Sequence, residues 1–253
     1  MKRFVVGDIH GAHKALVQCL ERSGFDKDKD LLITLGDIVD GWNEVYQCVE
    51  ELLTIKNRID IKGNHDDWFN DWLVYGGHPC EWLQGGIGTL QSYCEALDCE
   101  YTGTDSHGYR TSLNSAIVPQ SHKDFFANQK LHHRDHENRF FVHGGFDRNH
   151  YIDYLDVTIP HDYYWDRDLW TSAMSCSKGV KLKTVEDFKE IFIGHTATIN
   201  WDKEAKPIES GGVWNLDQGA GWWGKLTMMN IDTKEYFQSD NVKDLYFDRR
   251  RRQ

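Results

Sequence analysis

Residues 3–11 read RFVVGDIHG, a short apolar strand followed at once by an aspartate and a histidine between glycines. Residues 12–23 then carry apolar side chains at helical spacing, which predicts a strand–loop–helix unit. The unit recurs as a strand at 31–35 with a helix at 43–56, and a third strand follows at 58–62. Repeated units of this kind predict a parallel or mixed sheet within an α/β domain.

This repeating pattern breaks at about residue 67. Residues 67–138 are rich in tryptophan, glycine and polar residues, and they predict a mostly helical cap or insertion. Strand patterns resume at 139–142, 190–193, 212–216, 226–231 and 235–238. Because one core can grow to about 250–300 residues, we expect a single domain over 1–253 that contains the insertion.

Composition excludes several classes of protein. The net charge of −11 argues against strong nonspecific binding to nucleic acid and against binding to an anionic membrane surface. No apolar run approaches the ~18 residues that a membrane-spanning helix needs. The six cysteines form no C-x-x-C pair and are too sparse for a disulfide scaffold. We therefore expect a soluble, cytoplasmic protein.

Five predicted strands end in loops that combine glycine with side chains able to bind a metal ion. These loops lie at 7–11, 36–37, 63–65, 142–144 and 193–195. Ligands of α/β sheets bind outside the carboxyl ends of strands, where glycine permits a sharp turn. Burying so many carboxylates and imidazoles without a cation would be costly, so the pattern indicates a metal centre.

The types of donor in these loops narrow the choice of metal. The candidate ligands are Asp8, His10, Asp37, Asn64, His143 and His195. Oxygen and imidazole donors without thiolate suit Mn²⁺, Fe or Zn²⁺ better than Ca²⁺, and we favour Mn²⁺. Because six donors exceed one tetrahedral site, we predict two divalent ions about 3.5–4 Å apart that share Asp37. Such a pair activates water and binds phosphoryl oxygens, which predicts phosphoester hydrolysis.

The ordered motifs at 7–11, 36–40, 63–66, 142–145 and 194–195 resemble those of the calcineurin-like metallophosphoesterases. The forms Gly-Asp-x-Val-Asp and Gly-Asn-His-Asp resemble the serine/threonine phosphoprotein phosphatase branch. Diadenosine tetraphosphatases and the phosphatase module of bacterial polynucleotide kinase-phosphatases share that branch. The resemblance implies two facing mixed β-sheets flanked by helices, with a dinuclear site at one edge.

The resemblance also implies roles for individual residues. Its first metal site matches Asp8, His10 and Asp37, and its second matches Asp37, Asn64, His143 and His195. His65 matches the general acid and Asp40 the carboxylate that orients it, while Asn64, His65 and Arg167 would contact the substrate. Apart from the resemblance, a histidine that is hydrogen-bonded to a carboxylate can stay protonated and donate its proton to an alkoxide leaving group. His65 as a seventh ligand or a packing residue remains the alternative. Asp217 is expected to orient a ligating histidine.

One departure from the branch concerns substrate binding. Gly41 occupies the position where the branch carries an arginine that binds the substrate phosphate. Arg167 is therefore the residue whose guanidinium is expected to bind the phosphate. A surface ion pair of Arg167 with Asp166 or Asp168 is the alternative. The missing arginine leaves room beside Gly41 for a phosphodiester, or for a nucleotide that stacks on Trp42. The tryptophans at 68, 72, 82, 222 and 223 are expected to pack rather than to form a substrate platform.

Three classes of function remain open. We favour a phosphomonoesterase similar to serine/threonine protein phosphatases, acting on phosphoproteins or small phosphoesters through a hydroxide that bridges two metals. The alternative is a hydrolase of nucleotide polyphosphates or phosphodiesters, including diadenosine polyphosphates and nucleic-acid ends. A noncatalytic scaffold is disfavoured because it would gain little from an intact pair of His65 and Asp40.

Overall fold

Two five-stranded sheets form the centre of the fold in a computed structural model, which describes residues 1–78, 80–106, 108–147, 151–152, 155–156 and 159–246. The strands are β1 (Arg3–Val6), β2 (Leu31–Thr34), β3 (Asn57–Asp60), β4 (Tyr101–Asp105), β5 (Gly108–Thr111), β6 (His132–Arg134), β7 (Arg139–Val142), β8 (Tyr151–Ile152), β9 (Leu155–Asp156), β10 (Glu190–Ile193), β11 (Ile208–Ser210), β12 (Val213–Asn215), β13 (Thr227–Asn230) and β14 (Tyr236–Gln238). The helices are α1 (His13–Ser23), α2 (Val45–Leu53), α3 (Asn64–Tyr75), α4 (Gly86–Leu97), α5 (Gln120–Ala127), α6 (Pro160–Trp165), α7 (Asp168–Met174) and α8 (Val242–Leu245). Short 3-10 helices lie at Cys80–Leu83, Lys183–Val185 and Thr198–Asn200.

Both sheets mix parallel and antiparallel pairs. The first has the order β14-β13-β1-β2-β3, in which β1, β2 and β3 run parallel and β13 and β14 pair antiparallel. The second has the order β11-β12-β10-β7-β6, with a parallel centre and antiparallel edges. This arrangement confirms the predicted fold class of two mixed sheets flanked by helices.

Alternating side chains along the strands bury both faces of each sheet. Phe4 and Val6 of β1 pack with the apolar side chains of α1 and α2, whereas Val5 faces the second sheet. Between the sheets, Val5 shares a cluster with Phe141 and Phe192, whose rings stack at 5.0 Å. Since successive strand residues point to opposite faces, each sheet packs against helices on one face and against the other sheet on its second face. The fold therefore has four layers, in the order helices, sheet, sheet and helices.

The segment 67–138 joins the same core as the first sheet. It contains most of α3, then α4, the hairpin of β4 and β5, α5 and the edge strand β6. Its buried side chains Trp72, Trp82 and Tyr93 belong to one cluster with residues of α1 and α2. The extent of the insertion and the assignment of one domain stay predictions.

Over the described residues, no helix combines the length and the apolar composition that crossing a bilayer requires.

Candidate metal centre and active site

The glycine-flanked loops meet at the carboxyl ends of the central strands. The backbone N–H of His10, after β1, donates to the carbonyl oxygen of Asp37, after β2, at 2.8 Å. The backbone N–H of His195, after β10 of the other sheet, donates to Asp8 Oδ2 at 3.0 Å. These bonds connect loops within the first sheet and between the two sheets, so side chains far apart in sequence share one small volume.

Several residues of these loops adopt the left-handed backbone conformation. Positive φ angles occur at four candidate site residues, His10 (49°), Asp37 (50°), Asp40 (66°) and His195 (65°). Such conformations are costly for residues with a Cβ, and they persist where the surrounding structure holds them. Gly63 has a separate reason to be glycine, because a Cβ there would collide with the Asp37 carboxylate.

Asp37 lies at the centre of the site. Its Oδ2 is 3.5 Å from His10 Nε2 and 3.4 Å from His143 Nε2, and its Oδ1 accepts the backbone N–H of His65 at 3.0 Å. Burial opposes ionisation of this carboxyl, but the neighbouring imidazoles, His143 first, hold its pKa well below the ordinary value. The group is therefore a carboxylate placed between two imidazoles.

Backbone carbonyls orient both of these imidazoles. His10 Nδ1 donates to the oxygen of Val39 at 3.1 Å, and His143 Nδ1 donates to the oxygen of Leu35 at 2.7 Å. Each bond directs Nε2 toward Asp37, as in histidines whose second nitrogen is held by an outer partner. Burial opposes protonation of His143, yet the Asp37 carboxylate outweighs it and raises the pKa of His143 to about 10.

Two atoms of the candidate ligands, Asp8 Oδ1 and His195 Nε2, are among the buried polar atoms that have no hydrogen-bond partner in the described part of the chain. Burial raises the pKa of Asp8, with the charge of Asp217 adding to the effect, and burial lowers the pKa of His195, with His143 adding. Leaving such atoms unsatisfied is costly, and both are of the types that bind divalent cations. The donor set therefore fits a metal centre.

Two clusters of potential ligands share one carboxylate. In the described chain, ligand atoms within 4.8 Å of one another occur in His10, Asp37 and His65, and in Asp37, His143 and His195. Asn64 Oδ1 lies 3.3 Å from His143 Nε2, beside the second cluster. Asp8 belongs to neither cluster, and His65 stands in the first one where the sequence predicts Asp8. A carboxylate common to two clusters is the arrangement of a two-ion site.

His65 and Asp40 form a hydrogen-bonded pair. His65 Nδ1 lies 2.6 Å from Asp40 Oδ2, and the carboxylate is fully buried. The other oxygen, Asp40 Oδ1, accepts the Thr89 hydroxyl at 2.6 Å and the Trp82 indole N–H at 3.0 Å. Nothing local in residues 67–138 indicates a contact with Asp40, so the sequence does not reveal Thr89 and predicts only packing for Trp82.

Asp66 is a second residue whose role the sequence did not reveal. Its carboxylate accepts the backbone N–H groups of Ile38 at 2.8 Å and Gly63 at 3.1 Å, and the Gln129 amide at 2.9 Å. Burial raises the pKa of Asp66 to about 6, and the charge of Asp37 contributes. The side chain holds together the loops after β2 and β3. An acidic residue at the third position of a helix is the local signal, since it caps its own N-terminus.

Arg167 and Asp217 both line the cavity described below. Arg167 Nη1 donates to the oxygen of His195 at 3.2 Å and to Thr196 Oγ1 at 2.9 Å, bonds that hold it beside the site. Asp217 Oδ1 accepts the Gly219 N–H at 2.8 Å, and the described residues include no hydrogen bond from it to a histidine. The orienting role expected of Asp217 stays a prediction. Burial raises its pKa to about 6.

The predicted space beside Gly41 is filled, and Trp42 is not a substrate platform. Gly41 has a φ of 84°, and a Cβ there would lie 3.0 Å from the carbonyl oxygen of His10. Trp42 is only 4% exposed, stacks on Tyr246 at 4.8 Å and donates its indole N–H to the oxygen of Ala220. Both expectations were wrong. The backbone of His10 lies close to Gly41, and Trp42 is packed against Tyr246 in the core.

A cavity of about 740 Å³ opens over the site. The site residues among its lining are His10, Asp37, Asn64, His65, Arg167, His195 and Asp217. Trp72 and Trp82 are buried in the core as expected, but Trp222 and Trp223 are 47% and 56% exposed and line the cavity. For these two residues the expectation of packing was wrong.

Known proteins resemble this chain in sequence and in fold. The calcineurin-like phosphoesterase family profile matches residues 1–204. The chain is 27% identical to the symmetrical bis(5′-nucleosyl)-tetraphosphatase of Pseudomonas fluorescens in an alignment 296 positions long, which covers 94% of both chains. It is 34% identical over 103 residues to serine/threonine-protein phosphatase 1 of Salmonella typhimurium, across 37% of this chain and 46% of that protein. The metallophosphoesterase structure from Sphaerobacter thermophilus, at 15% identity, has a TM-score of 0.53 and covers 95% of this chain and 89% of its own, which supports the fold.

Proposed function

The chain belongs to the calcineurin-like phosphoesterase family and is a phosphoester hydrolase, and from that premise we propose that it cleaves nucleoside polyphosphates at a two-metal site. The observation that carries the two-metal site is the Asp37 carboxylate common to two ligand clusters. The substrate class rests on the relative matched over nearly the whole chain, a symmetrical bis(5′-nucleosyl)-tetraphosphatase.

The family uses a dinuclear metal centre, and this chain offers ligands for one. His10, Asp37 and Asp8 would hold the first ion, and Asp37, Asn64, His143 and His195 the second. The mixture of oxygen and imidazole donors favours Mn²⁺, with Fe and Zn²⁺ as alternatives. When bound, such ions polarise phosphoryl oxygens and lower the pKa of water.

The protein's own groups bind the phosphate and manage the protons. Arg167, at the cavity wall, binds the phosphoryl oxygens through its planar guanidinium. A water oxygen attacks phosphorus and releases one proton to solvent as the bond to the leaving oxygen breaks. His65 transfers its Nε2 proton to that leaving oxygen, while Asp40 holds Nδ1 at 2.6 Å and stabilises the protonated ring before transfer.

A phosphomonoester, including phosphoserine or phosphothreonine in a protein, is the second candidate substrate. The pair of His65 and Asp40 favours it, because an alkoxide leaving group depends more on a proton than a phosphate leaving group does. The partial match to a serine/threonine phosphatase points the same way over a shorter stretch.

Turnover by the Mn²⁺-reconstituted protein tests these alternatives. We expect kcat/KM for diadenosine tetraphosphate to exceed that for phenyl phosphate and for a phosphoserine peptide. Asp37→Asn should abolish all three activities, which controls for a contaminating phosphatase. Absence of diadenosine tetraphosphate turnover in a preparation that hydrolyses the monoesters would reject the nucleotide proposal and support the second candidate.

A further inference from the structure

A rigid turn presents two exposed indoles at the cavity. The backbone N–H groups of Trp222 and Gly224 both donate to the oxygen of Gly219 at 2.9 Å, and Val242 N–H donates to the oxygen of Gly224 at 2.7 Å. The backbone is therefore fixed, while Trp222 and Trp223 remain about half exposed and line the cavity. Large aromatic side chains held in place at a cavity mouth are typical of ligand contacts.

The same turn touches the candidate metal centre. A Cβ on Gly221 would overlap the His10 ring, so the backbone of Gly221 lies directly against that imidazole. His10 Nε2 is 3.5 Å from the central Asp37 carboxylate. The two tryptophans follow Gly221 immediately in the chain. A phosphoryl group bound at the centre would thus lie beside the turn that carries the two indoles, within the same cavity.

The chemistry of this wall is aromatic and uncharged. The two indoles meet edge to face, with centroids 6.0 Å apart. Ile199 packs beneath the turn at Gly219, and the neighbouring Asn200 lines the cavity with an amide. Among the described lining residues Arg167 is the one guanidinium or ammonium group, and on the side of Trp222, Trp223, Ile199 and Asn200 the cavity offers apolar and amide side chains. Flat nucleobases stack on such rings, and amides bind their edges.

We propose that Trp222 and Trp223 form a nucleobase subsite, in which the base of a nucleotide substrate stacks on the indoles while its phosphate occupies the metal centre. This inference rests on the proposed nucleotide function and adds the residues that recognise the base. The subsite takes adenine and other bases by stacking, because every base has a π-face.

Competitive inhibition separates base recognition from phosphate recognition. With Mn²⁺-loaded protein and a chromogenic phosphoester as reporter, inhibition constants are measured for AMP and for ribose 5-phosphate, which lacks only the base. Stacking on an aromatic side chain predicts that AMP binds roughly 5- to 150-fold more tightly. We expect Trp222→Ala and Trp223→Ala each to reduce this preference and the double variant to abolish it, with ribose 5-phosphate unchanged.

Trp201 supplies the matched control. Its indole is 46% exposed and packs edge-on against Trp170, but it does not line the cavity. Trp201→Ala should keep the full preference for AMP, and Trp222→Phe with Trp223→Phe should restore most of it.

Three results would overturn the subsite. The first is equal binding of AMP and ribose 5-phosphate by the parent, and the second is a double alanine variant that keeps the preference for AMP. The third is a double variant in which the inhibition constant of a phosphoserine peptide rises and that of AMP does not. This result would assign the cavity wall at Trp222 and Trp223 to the binding of phosphoproteins. Failure of the proposed function is seen separately, as absent diadenosine tetraphosphate turnover.

Discussion

Thr89 donates its hydroxyl hydrogen to the buried Oδ1 of Asp40 at 2.6 Å, and its oxygen accepts the backbone N–H of the same residue at 2.9 Å. The second carboxylate oxygen of Asp40 meets His65 Nδ1 at 2.6 Å. Thr89 belongs to α4, within the segment 67–138. A helix outside the alternating strand–helix pattern thus holds the carboxylate that orients the proposed acid.

Replacing Thr89 with alanine should therefore reduce catalysis more than binding. The buried carboxylate loses a charge-assisted hydrogen bond worth about 1.5–3 kcal/mol, so we expect kcat to fall roughly tenfold or more with little change in KM. Thr89→Ser keeps the hydroxyl and should restore most of the rate. The loss should be larger for phenyl phosphate than for para-nitrophenyl phosphate, and equal losses would indicate a general structural defect.

His65→Asn should retain both metal ions and lose turnover. A general acid contributes about 10²–10⁴-fold, and an asparagine cannot deliver the proton. Because para-nitrophenolate leaves without protonation, the loss should shrink for its ester. Metal content by elemental analysis and kcat on phenyl and para-nitrophenyl phosphate test this. Loss of one ion in the variant would instead make His65 a ligand, as its place in the first ligand cluster allows.

Elemental analysis of the Mn²⁺-reconstituted protein should approach two ions per chain. Asp37→Ala should lose both, because this carboxylate serves both clusters. His195→Ala should lower occupancy of the second ion alone. His136→Ala is the control, since that imidazole is 78% exposed. One ion per parent chain, unaltered by His195→Ala, contradicts the two-ion arrangement.

Asp66→Ala should destabilise the fold and the site together. The change leaves the buried N–H groups of Ile38 and Gly63 and the Gln129 amide without their acceptor, at about 1–3 kcal/mol each. We expect the free energy of unfolding to fall by about 3 kcal/mol or more in urea titrations. Asp66→Asn keeps one acceptor oxygen and should lose less. Equal stability of the two variants would show that the acceptors are replaced by water.

Gly41→Ala should weaken metal binding as well as stability. The φ of 84° costs a residue with a Cβ about 1–2 kcal/mol, and the added carbon crowds His10 at 3.0 Å. Gly76→Ala is the matched control, because its φ is 72° and its Cβ would meet nothing within 4 Å. Both variants should melt earlier, and only Gly41→Ala should bind Mn²⁺ more weakly. Unchanged Mn²⁺ affinity in Gly41→Ala would show that the loop yields without moving His10.

The sequence by itself determined where the central strands of this protein lie. The strands β1, β7 and β10 begin and end where the apolar patterns predict, because a run of three apolar residues followed by a glycine-containing loop is a local signal. Parallel strands end at one edge of a sheet, and this rule was enough to predict that Asp37 and His10 would meet. The roles proposed for these residues stay predictions until the variants are made.

Only the tertiary structure decided which distant side chains support or border the site. Thr89 and Asp40 are 49 residues apart and in contact, while Trp42 and Trp222, both tryptophans after a glycine, have opposite fates in the core and at the cavity. Local patterns specify helix and strand because those depend on neighbouring residues. Contacts between segments depend instead on how whole layers pack, and a tryptophan is buried or exposed according to what lies opposite it.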